Sequence, residues 1–532
     1  MHDKSIACLE NLIPEFQSIK AQADQHGQTS FQYIMQHKII ASKKLAADCA
    51  AYFNVKEIKI DNLELNQLPI KFIKINFIKN NFILPIKKNH NEIMIAISDP
   101  ENFNSDLEKS IQFQTGFTIQ FCFAQYDTLC RLHNMLISQI IYKDEKISAE
   151  IIAHQILSDS IHKNASDIHC EPYQHHYRVR VRIDGLLHEI LSLNNLIGYT
   201  ITSCIKVLAN LDIAIKRTPQ DGRFSFKSNL GFIKDCRAST YPTAHGEKLV
   251  IRLLDVNMQI KKITELGLSE KNREIILKTI QKPQGLILVT GPTGSGKTIT
   301  LYTILNLLNQ NHRNISTIED PIEIQINGLN QSAVNAKAKF TFSLALRALL
   351  RQDPDIMMIG EIRDKETAEM AIRAAETGHL VFSTLHTNNS AEAILRLNHM
   401  GIPTVNLASS LELIIAQRLV RKLCVYCKIE KIFSETVLRE AGMSSFITNQ
   451  FNLYQPIGCT LCDAGFQGRI GIFELLPITT DIKNLILNHE NFLFIANENK
   501  RDNHFNLWDA ALNLVLSGET SLEEIYRVIP KN

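Results

Sequence analysis

Residues 285–298 read Gly285-Leu-Ile-Leu-Val-Thr-Gly-Pro-Thr-Gly-Ser-Gly-Lys-Thr298, and the fold follows from how this stretch is parsed. Leu286 to Val289 is a short apolar run, the pattern of a strand buried on both faces. Gly291, Pro292, Thr293, Gly294, Ser295, Gly296, Lys297 and Thr298 then form a complete phosphate-binding loop, and Thr300 to Leu308 has helical periodicity. Glycines are required because the backbone must wrap a phosphate closely and aim successive N–H groups at it, while the following helix adds its dipole. Lys297 meets the β and γ phosphates. Thr298 supplies the hydroxyl that such loops use to hold Mg2+, so the metal is expected with the nucleotide.

Downstream, the apolar strand Ile356 to Ile359 ends in Gly360 and Glu361. That places a carboxylate at the carboxyl end of a sheet strand, where open α/β folds bind ligands, and makes Glu361 the candidate general base. Thr317 to Glu323 offers Glu319, Asp320 and Glu323 at another strand end before Pro321 stops the strand, a set suited to magnesium and water organisation. Val381 to Thr384 leads to His386, an imidazole expected at the same edge. From about 275 to 425 short strands alternate with helix patterns, the signature of βαβ units around a mainly parallel sheet. The last hundred residues read as helical apart from a cysteine-bearing insertion. Thr520 and Glu523 have capping-box spacing, and Gly518 closes the preceding helix.

Cys424 and Cys427 form one C-x2-C and Cys459 and Cys462 another, which suits tetrahedral Zn2+ through four thiolates and a structural role. A redox pair is the competing reading. The other seven of the eleven cysteines are scattered singly, which argues against a disulfide framework.

A chain of 532 residues implies roughly three or four domains. Lysine and arginine total 57 against 55 acidic residues, so no global attraction to nucleic acid or an anionic membrane is expected. The amino terminus mixes Asp3, Lys4 and Glu10 into its apolar residues, without an export signal. The apolar runs are strand-sized, far below the roughly 20 residues of a membrane span, so a cytoplasmic chain without membrane insertion is expected. Upstream of the loop, residues 1–145 read as an accessory α/β domain. Residues 146–255 read as a mixed α/β domain with a helix at Ala149 to Ile161, a strand at Tyr177 to Ile183 and a second helix through Ile205 to Leu211. Residues 256–273 read as a linker able to act as a hinge, 274–480 as the P-loop domain with its insertion at about 422–465, and 481–532 as a helical region.

With these residues in hand, Gly291 to Thr298, Thr317 to Glu323, Leu350 to Asp364 and Ala374 to Asn388 resemble, in order, the Walker A, Asp-box, Walker B and His-box motifs of the type II and type IV secretion ATPases. Ala165 to His169, Arg182 to Gly185, Pro219 to Arg223 and Arg237 to Leu254 resemble the PAS-like domain that precedes the motor domain in that family. The resemblance covers roughly residues 146 to 480. It implies a RecA-like ATPase domain, ATP hydrolysis, a homo-oligomeric ring that is normally a hexamer, and an inner-membrane platform protein as partner. It also implies that Arg237 and Arg252 reach the phosphates, with Arg217 and Arg223 as weaker candidates, and that the tetracysteine module binds zinc.

Within the family, Leu413 to Leu419 and Gly328 to Gln331 look like the motor that assembles type IV pili, whereas Ala244 to Lys248 and the loop Ser228 to Asp235 resemble the type II secretion form. Retraction motors usually lack the long amino-terminal domain and the tetracysteine module, so extension of a pilus is the expected task. A nucleic-acid-translocating P-loop motor is the alternative of another class, and the near-neutral charge argues against it. Some relatives carry an Arg-Leu-Gly-x-x-Leu motif that recognises cyclic di-GMP. The nearest stretch here, His26 to Phe31, lacks the arginine and leucine, so no binding by that mode is expected.

Overall fold

The computed structural model describes the chain except residues 1, 26–28, 38, 61–62, 64–66, 144–147, 229–230, 255–259, 336–337, 444–452, 460–461, 489–491, 502–503 and 530–532. It divides into two compact units, residues 1–256 and 257–532.

The first unit begins with four helices, His2–Leu12, Phe16–Gln25, Ser30–Gln36 and Ser42–Phe53. Residues 26–28 of the His26 to Phe31 stretch lie outside the described residues. Thr29 caps the third helix, accepting from the Gln32 N–H at 3.1 Å while the Gln32 side chain accepts from the Thr29 N–H at 3.2 Å. A four-stranded sheet follows, built from β1 (Glu57–Ile58), β2 (Leu84–Asn89), β3 (Glu92–Ile97) and β4 (Thr118–Ala124) in the order β1-β4-β3-β2. Two helices, Tyr126–Lys143 and Ala149–His162, lead to a second sheet. This one is antiparallel throughout, with β5 (Asp167–Pro172), β6 (Tyr177–Ile183), β7 (Leu186–Leu193), β8 (Gln220–Lys227), β9 (Ile233–Thr243) and β10 (Gly246–Leu254) in the order β7-β6-β5-β10-β9-β8. Helix Asn195–Leu208 buries Ile201 and Ile205 in its core.

The second unit is organised by a seven-stranded sheet. Its members are β11 (Gly285–Thr290), β12 (Ile315–Glu319), β13 (Asn330–Ala333), β14 (Ile356–Ile359), β15 (Leu380–Leu385), β16 (Leu411–Leu423) and, beyond a two-stranded ribbon of β17 (Ile429–Lys431) and β18 (Leu453–Gln455), β19 (Phe466–Pro477). The order is β13-β12-β14-β15-β11-β16-β19, parallel except for β19. Every residue of β11, β12, β14 and β15 is buried, as two covering helical layers require. One core packs around Leu286, Leu288, Ala371 and Leu397 and the other around Ile287, Val289, Leu301 and Phe382. An extra strand, β15, separates the P-loop strand β11 from β14, so the ends of three adjacent parallel strands converge on one edge.

Three sequence expectations are corrected. The last hundred residues are not helical apart from the cysteine insertion: β19 is a twelve-residue strand paired along most of β16. The helix after the P-loop starts at Lys297, not Thr300. At the carboxyl end Ser521, not Thr520, caps the last helix, its hydroxyl accepting from the Glu524 N–H at 3.2 Å. The Thr520 hydroxyl donates instead to the Arg421 carbonyl at 2.8 Å. Of the expected linker, 256–259 lie outside the described residues. From Ile260 onward the chain packs on the core of the second unit, with Ile263 and Leu266 buried and the Lys261 carbonyl accepting from Thr303 Oγ1 at 3.1 Å. Among the described residues no helix is long and apolar enough to cross a membrane.

Candidate active site

The P-loop leaves β11 through Gly291 (φ 149°) and reaches its helix through Gly294 (φ 78°) and Gly296 (φ 87°). A Cβ on Gly291 would lie 2.5 Å from the Gln417 carbonyl oxygen, and one on Gly296 2.9 Å from Gln417 Nε2. Glycine is therefore dictated at both by conformation and by close approach to β16. Gly296 caps helix Lys297–Leu308 without any side-chain bond, leaving the first-turn N–H groups to whatever fills the loop. Ser295 Oγ is buried without a hydrogen-bond partner, and a phosphate oxygen is an acceptor of the kind it lacks. Lys297 Nζ donates to the carbonyls of Gly291 at 2.8 Å and Pro292 at 3.0 Å. Burial pushes its ammonium down to about 8, opposed by the charge of Glu361 and helped by that of Arg418. Cradle, lysine and orphaned hydroxyl together fit a nucleoside triphosphate, and Thr298 follows in the first turn of the helix.

Glu361 lies just beyond β14, largely buried. Its two oxygens meet Arg363 Nη2 and His386 Nε2, the latter at 3.3 Å. His386 follows β15, and the loop after it is fastened to β11: Thr387 N donates to Thr290 Oγ1 at 3.0 Å and the two threonine hydroxyls lie 2.6 Å apart. A groove of about 470 Å3 runs from Pro292 past His386 and Asn388 to Arg396 and His399. Arg363, which the sequence reading passed over, also reaches to 3.9 Å from Asp320.

Glu319 is placed differently. It is buried, and its carboxylate accepts from Tyr302 Oη, from Thr317 Oγ1 at 2.5 Å and from Gln331 Nε2 at 3.1 Å. Glu323 is exposed, and its backbone N–H donates to Tyr302 Oη at 3.3 Å.

In the first unit, strand register assembles the arginines. Arg223 stands opposite Arg237, Arg237 opposite Arg252, Arg252 opposite Asp167 and Asp167 opposite Arg182. Directly opposed residues share a face, so four guanidinium groups line one row with a single carboxylate among them. Asp167 lies 3.3 Å from Arg252 and 3.7 Å from Arg182, while Arg237 reaches Asp221 at 3.5 Å. Like charges opposed across strands destabilise a sheet, and a row of them is a ready anion-binding strip. Arg182, visible in Arg182-Ile-Asp-Gly185, was missed as a member.

The four cysteine sulfurs lie within 4.8 Å of one another. Cys424 and Cys459 are 3.9 Å apart, Cys427 and Cys462 3.7 Å, and Cys459 and Cys462 3.6 Å. A tetrahedral ion with metal–sulfur bonds of about 2.3 Å gives edges of about 3.8 Å, whereas a disulfide needs about 2.0 Å. The donor set fits one metal ion. The module is anchored beside it by Arg421 of β16, whose side chain donates to Glu524 at 2.8 and 3.1 Å and stacks over Phe466 at 3.8 Å.

Residues 142–527 match the family model of the type II/IV secretion system protein, and 53–139 match the MshEN domain. The chain belongs to the type II/IV secretion system protein family. Like the rest of that family it is an ATPase. It is 39% identical to the type IV pilus assembly ATPase PilB of Pseudomonas aeruginosa, across 97% of this chain and 96% of that one. Against the type II secretion system protein E of Aeromonas hydrophila the identity is 45%, across 71% of this chain and 75% of that one. Among solved structures, the pilus retraction motor PilT with bound ADP superposes with a TM-score of 0.50 at 29% identity, covering 71% of this chain and 97% of that one. The Legionella pneumophila ATPase DotB, 20% identical, shares the fold with a TM-score of 0.53 across 73% of this chain and 97% of that one.

Proposed function

We propose that this chain is the ATP-hydrolysing motor of type IV pilus assembly. The observation that carries the reading is similarity to pilus assembly ATPases along the whole chain, amino-terminal region included. Identity is higher to type II secretion proteins, but only over 71% of the chain. Shared motor residues report common ATPase chemistry, whereas the preceding region couples a motor to its own machine, so coverage is given the greater weight. The second reading, a type II secretion motor, rests on that higher identity.

In this reading the phosphates lie in the Gly291 to Thr298 cradle against Lys297, with Thr298 holding Mg2+, which offsets the charge of the β and γ phosphates. Glu361 takes the proton of the attacking water, Arg363 and His386 orient it, and Arg237 and Arg252 meet phosphate charge from their guanidinium strip. Glu319 holds β12 and the turn carrying Asp320 and Glu323. Cys424, Cys427, Cys459 and Cys462 hold structural Zn2+. Residues 1–145 form a docking domain, 146–255 the PAS-like domain, 256–273 the linker, 274–480 the motor with its insertion at about 422–465, and 481–532 the helical end. The chain works in the cytoplasm as a hexameric ring on an inner-membrane platform protein.

Deleting the gene in its host and scoring surface pili and secreted enzymes tests the assignment, with rescue by wild type and by Lys297→Ala. Loss of pili alone supports the extension motor, and loss of secretion with pili intact supports the second reading. Rescue by Lys297→Ala overturns the ATPase reading for either machine. Zinc content of a Cys424→Ser/Cys459→Ser variant tests the metal assignment, which falls if the metal remains stoichiometric.

A further inference from the structure

Gln417 and Arg418, in the middle of β16, do no work in the mechanism above, yet they touch both loops that carry it. The Gln417 side chain accepts from Thr300 Oγ1 at 2.8 Å in the first turn after the P-loop, and its backbone carbonyl lies against Gly291. Arg418 is 6% exposed. Its guanidinium donates to the Gln417 carbonyl at 3.1 Å and, across to the loop after β15, to the Asn388 carbonyl at 2.8 Å and Asn388 Oδ1 at 3.4 Å. Among the described residues no carboxylate lies within 4 Å of it.

Glu474 and Glu392 are near enough for their charges to favour the guanidinium, but its hydrogen bonds go to neutral acceptors, and burial of a charge held in that way is costly compared with an apolar side chain of the same size. Three residues further along the strand, Arg421 is buried against the Glu524 carboxylate, so the strand accommodates a neutralised arginine where one is needed for stability alone. Arg418 spans a different gap. On one side is the strand that backs Gly291 and Gly296; on the other is Asn388, two residues after His386. With the Thr290–Thr387 hydroxyl pair, its bonds set where His386 stands relative to the P-loop.

We propose that Arg418 is a positioning residue for hydrolysis, holding the loop that carries His386 in register with the P-loop. It acts through His386 and not through contact with the nucleotide. This inference rests on the ATPase reading of the site. It predicts that the bonds of Arg418 matter for turnover and little for ATP affinity, because the P-loop keeps its glycines, Lys297 and its helix terminus without them.

The test is a double-mutant cycle on the full-length chain: wild type, Arg418→Met, His386→Ala and the double variant, with Arg418→Lys alongside. Steady-state turnover is measured for each, together with binding of a fluorescent ATP analogue. Arg418→Met is expected to lower kcat about 10- to 100-fold, the effect of a modest misplacement, with analogue affinity within about threefold of wild type. In the His386→Ala background the same substitution costs nothing further, because residues acting as a unit are not additive. Arg418→Lys, still able to reach one carbonyl, recovers part of the loss. Equal losses in both backgrounds overturn the proposal while leaving the ATPase reading intact, as does loss of analogue binding in Arg418→Met with turnover at saturation unchanged. If Arg418→Met does not fold, Arg418→Lys carries the cycle, and a loss in it that persists without His386 is equally decisive. A wild-type chain without ATPase activity refutes the underlying reading instead.

Discussion

The ends of β12 and β14 lie side by side in the motor sheet, and each presents a glutamate. Glu319 is filled by a phenol, a hydroxyl and an amide, all donated from within the unit. Glu361 meets an arginine and an imidazole that are themselves 62% and 50% exposed. The first carboxylate has its acceptor capacity satisfied by groups fixed in the core. The second is held by partners that a substrate or water can displace. Equivalent topological positions thus hold one carboxylate satisfied from the core and one with exposed partners, and what separates them is the supply of donors, not the strand end itself.

The sharpest way to break this contrast is to remove one charge at a time. Glu361→Gln is expected to lower turnover by about 10²- to 10⁴-fold, the contribution of a general base, while leaving ATP bound. Glu319→Gln should change turnover only a few-fold. Steady-state ATPase assays with nucleotide-binding titrations decide it, and a reversed order of effects would exchange the two roles.

Glu524 extends the comparison to a carboxylate far from the nucleotide. Burial raises its proton affinity, but hydrogen bonds from Arg527 and Arg421 more than offset this and hold the carboxyl below its ordinary range. Stability from such a group is present above the unfolded carboxyl's range and is lost as pH falls through the lowered folded value. Glu524→Ala strands two arginines, one of them buried, and is expected to cost about 3–5 kcal/mol in chemical denaturation of the second unit. Nucleotide affinity of the folded fraction should be unchanged.

How much of this was legible beforehand follows the same physics. The runs Leu286 to Val289 and Ile356 to Ile359 and the start of β15 are apolar, and the P-loop, carboxylate and imidazole that follow them in turn are readable from spacing alone. β16 does not show the pattern of a strand, because Gln417, Arg418, Arg421 and Lys422 interrupt it, and the partners of the two arginines come from 30 and about 100 residues away in sequence. β19 carries Gly468, Arg469 and Gly471 in its first half, which look like loop. Thr520 had the right type and spacing for a cap, but a tertiary acceptor, the Arg421 carbonyl, took its hydroxyl. The arginine row needs strand register, which no local pattern encodes. Gln331, noticed only as a mark of family, proves to donate to both Glu319 and the Ile324 carbonyl.

Gln331 offers a milder probe of the brace. Glu319→Gln keeps the shape but replaces one acceptor oxygen with a donor, leaving one of three buried donors without a partner, at about 1–3 kcal/mol. Gln331→Leu removes a donor and leaves the carboxylate two others, so it should cost less. Denaturation midpoints of the two variants rank them, and equal losses would mean that the contacts of Gln331 with the Ile324 carbonyl and the Ile326 N–H, not its bond to Glu319, hold the β12 turn.

The smallest effect separates the two glutamates most cleanly, because it is read on a third residue. Burial holds the Lys297 ammonium down at about 8, Glu361 and Glu323 pull it upward, and Glu319 is not among its influences. Bound phosphate favours the charged lysine, so ATP affinity should be flat below about pH 7.5 and weaken as pH rises through 8, by up to about tenfold at pH 9, one pH unit being about 1.4 kcal/mol. Stability of the nucleotide-free chain should move the other way. The unfolded lysine still binds a proton between about 8 and its ordinary 10.5, so this residue favours folding increasingly as pH rises across that window. Glu361→Gln removes an upward pull and should shift the affinity midpoint to lower pH, whereas Glu319→Gln should leave it in place. A midpoint that follows Glu319 would place the charge facing the phosphates on β12 and dissolve the distinction between the two strand ends.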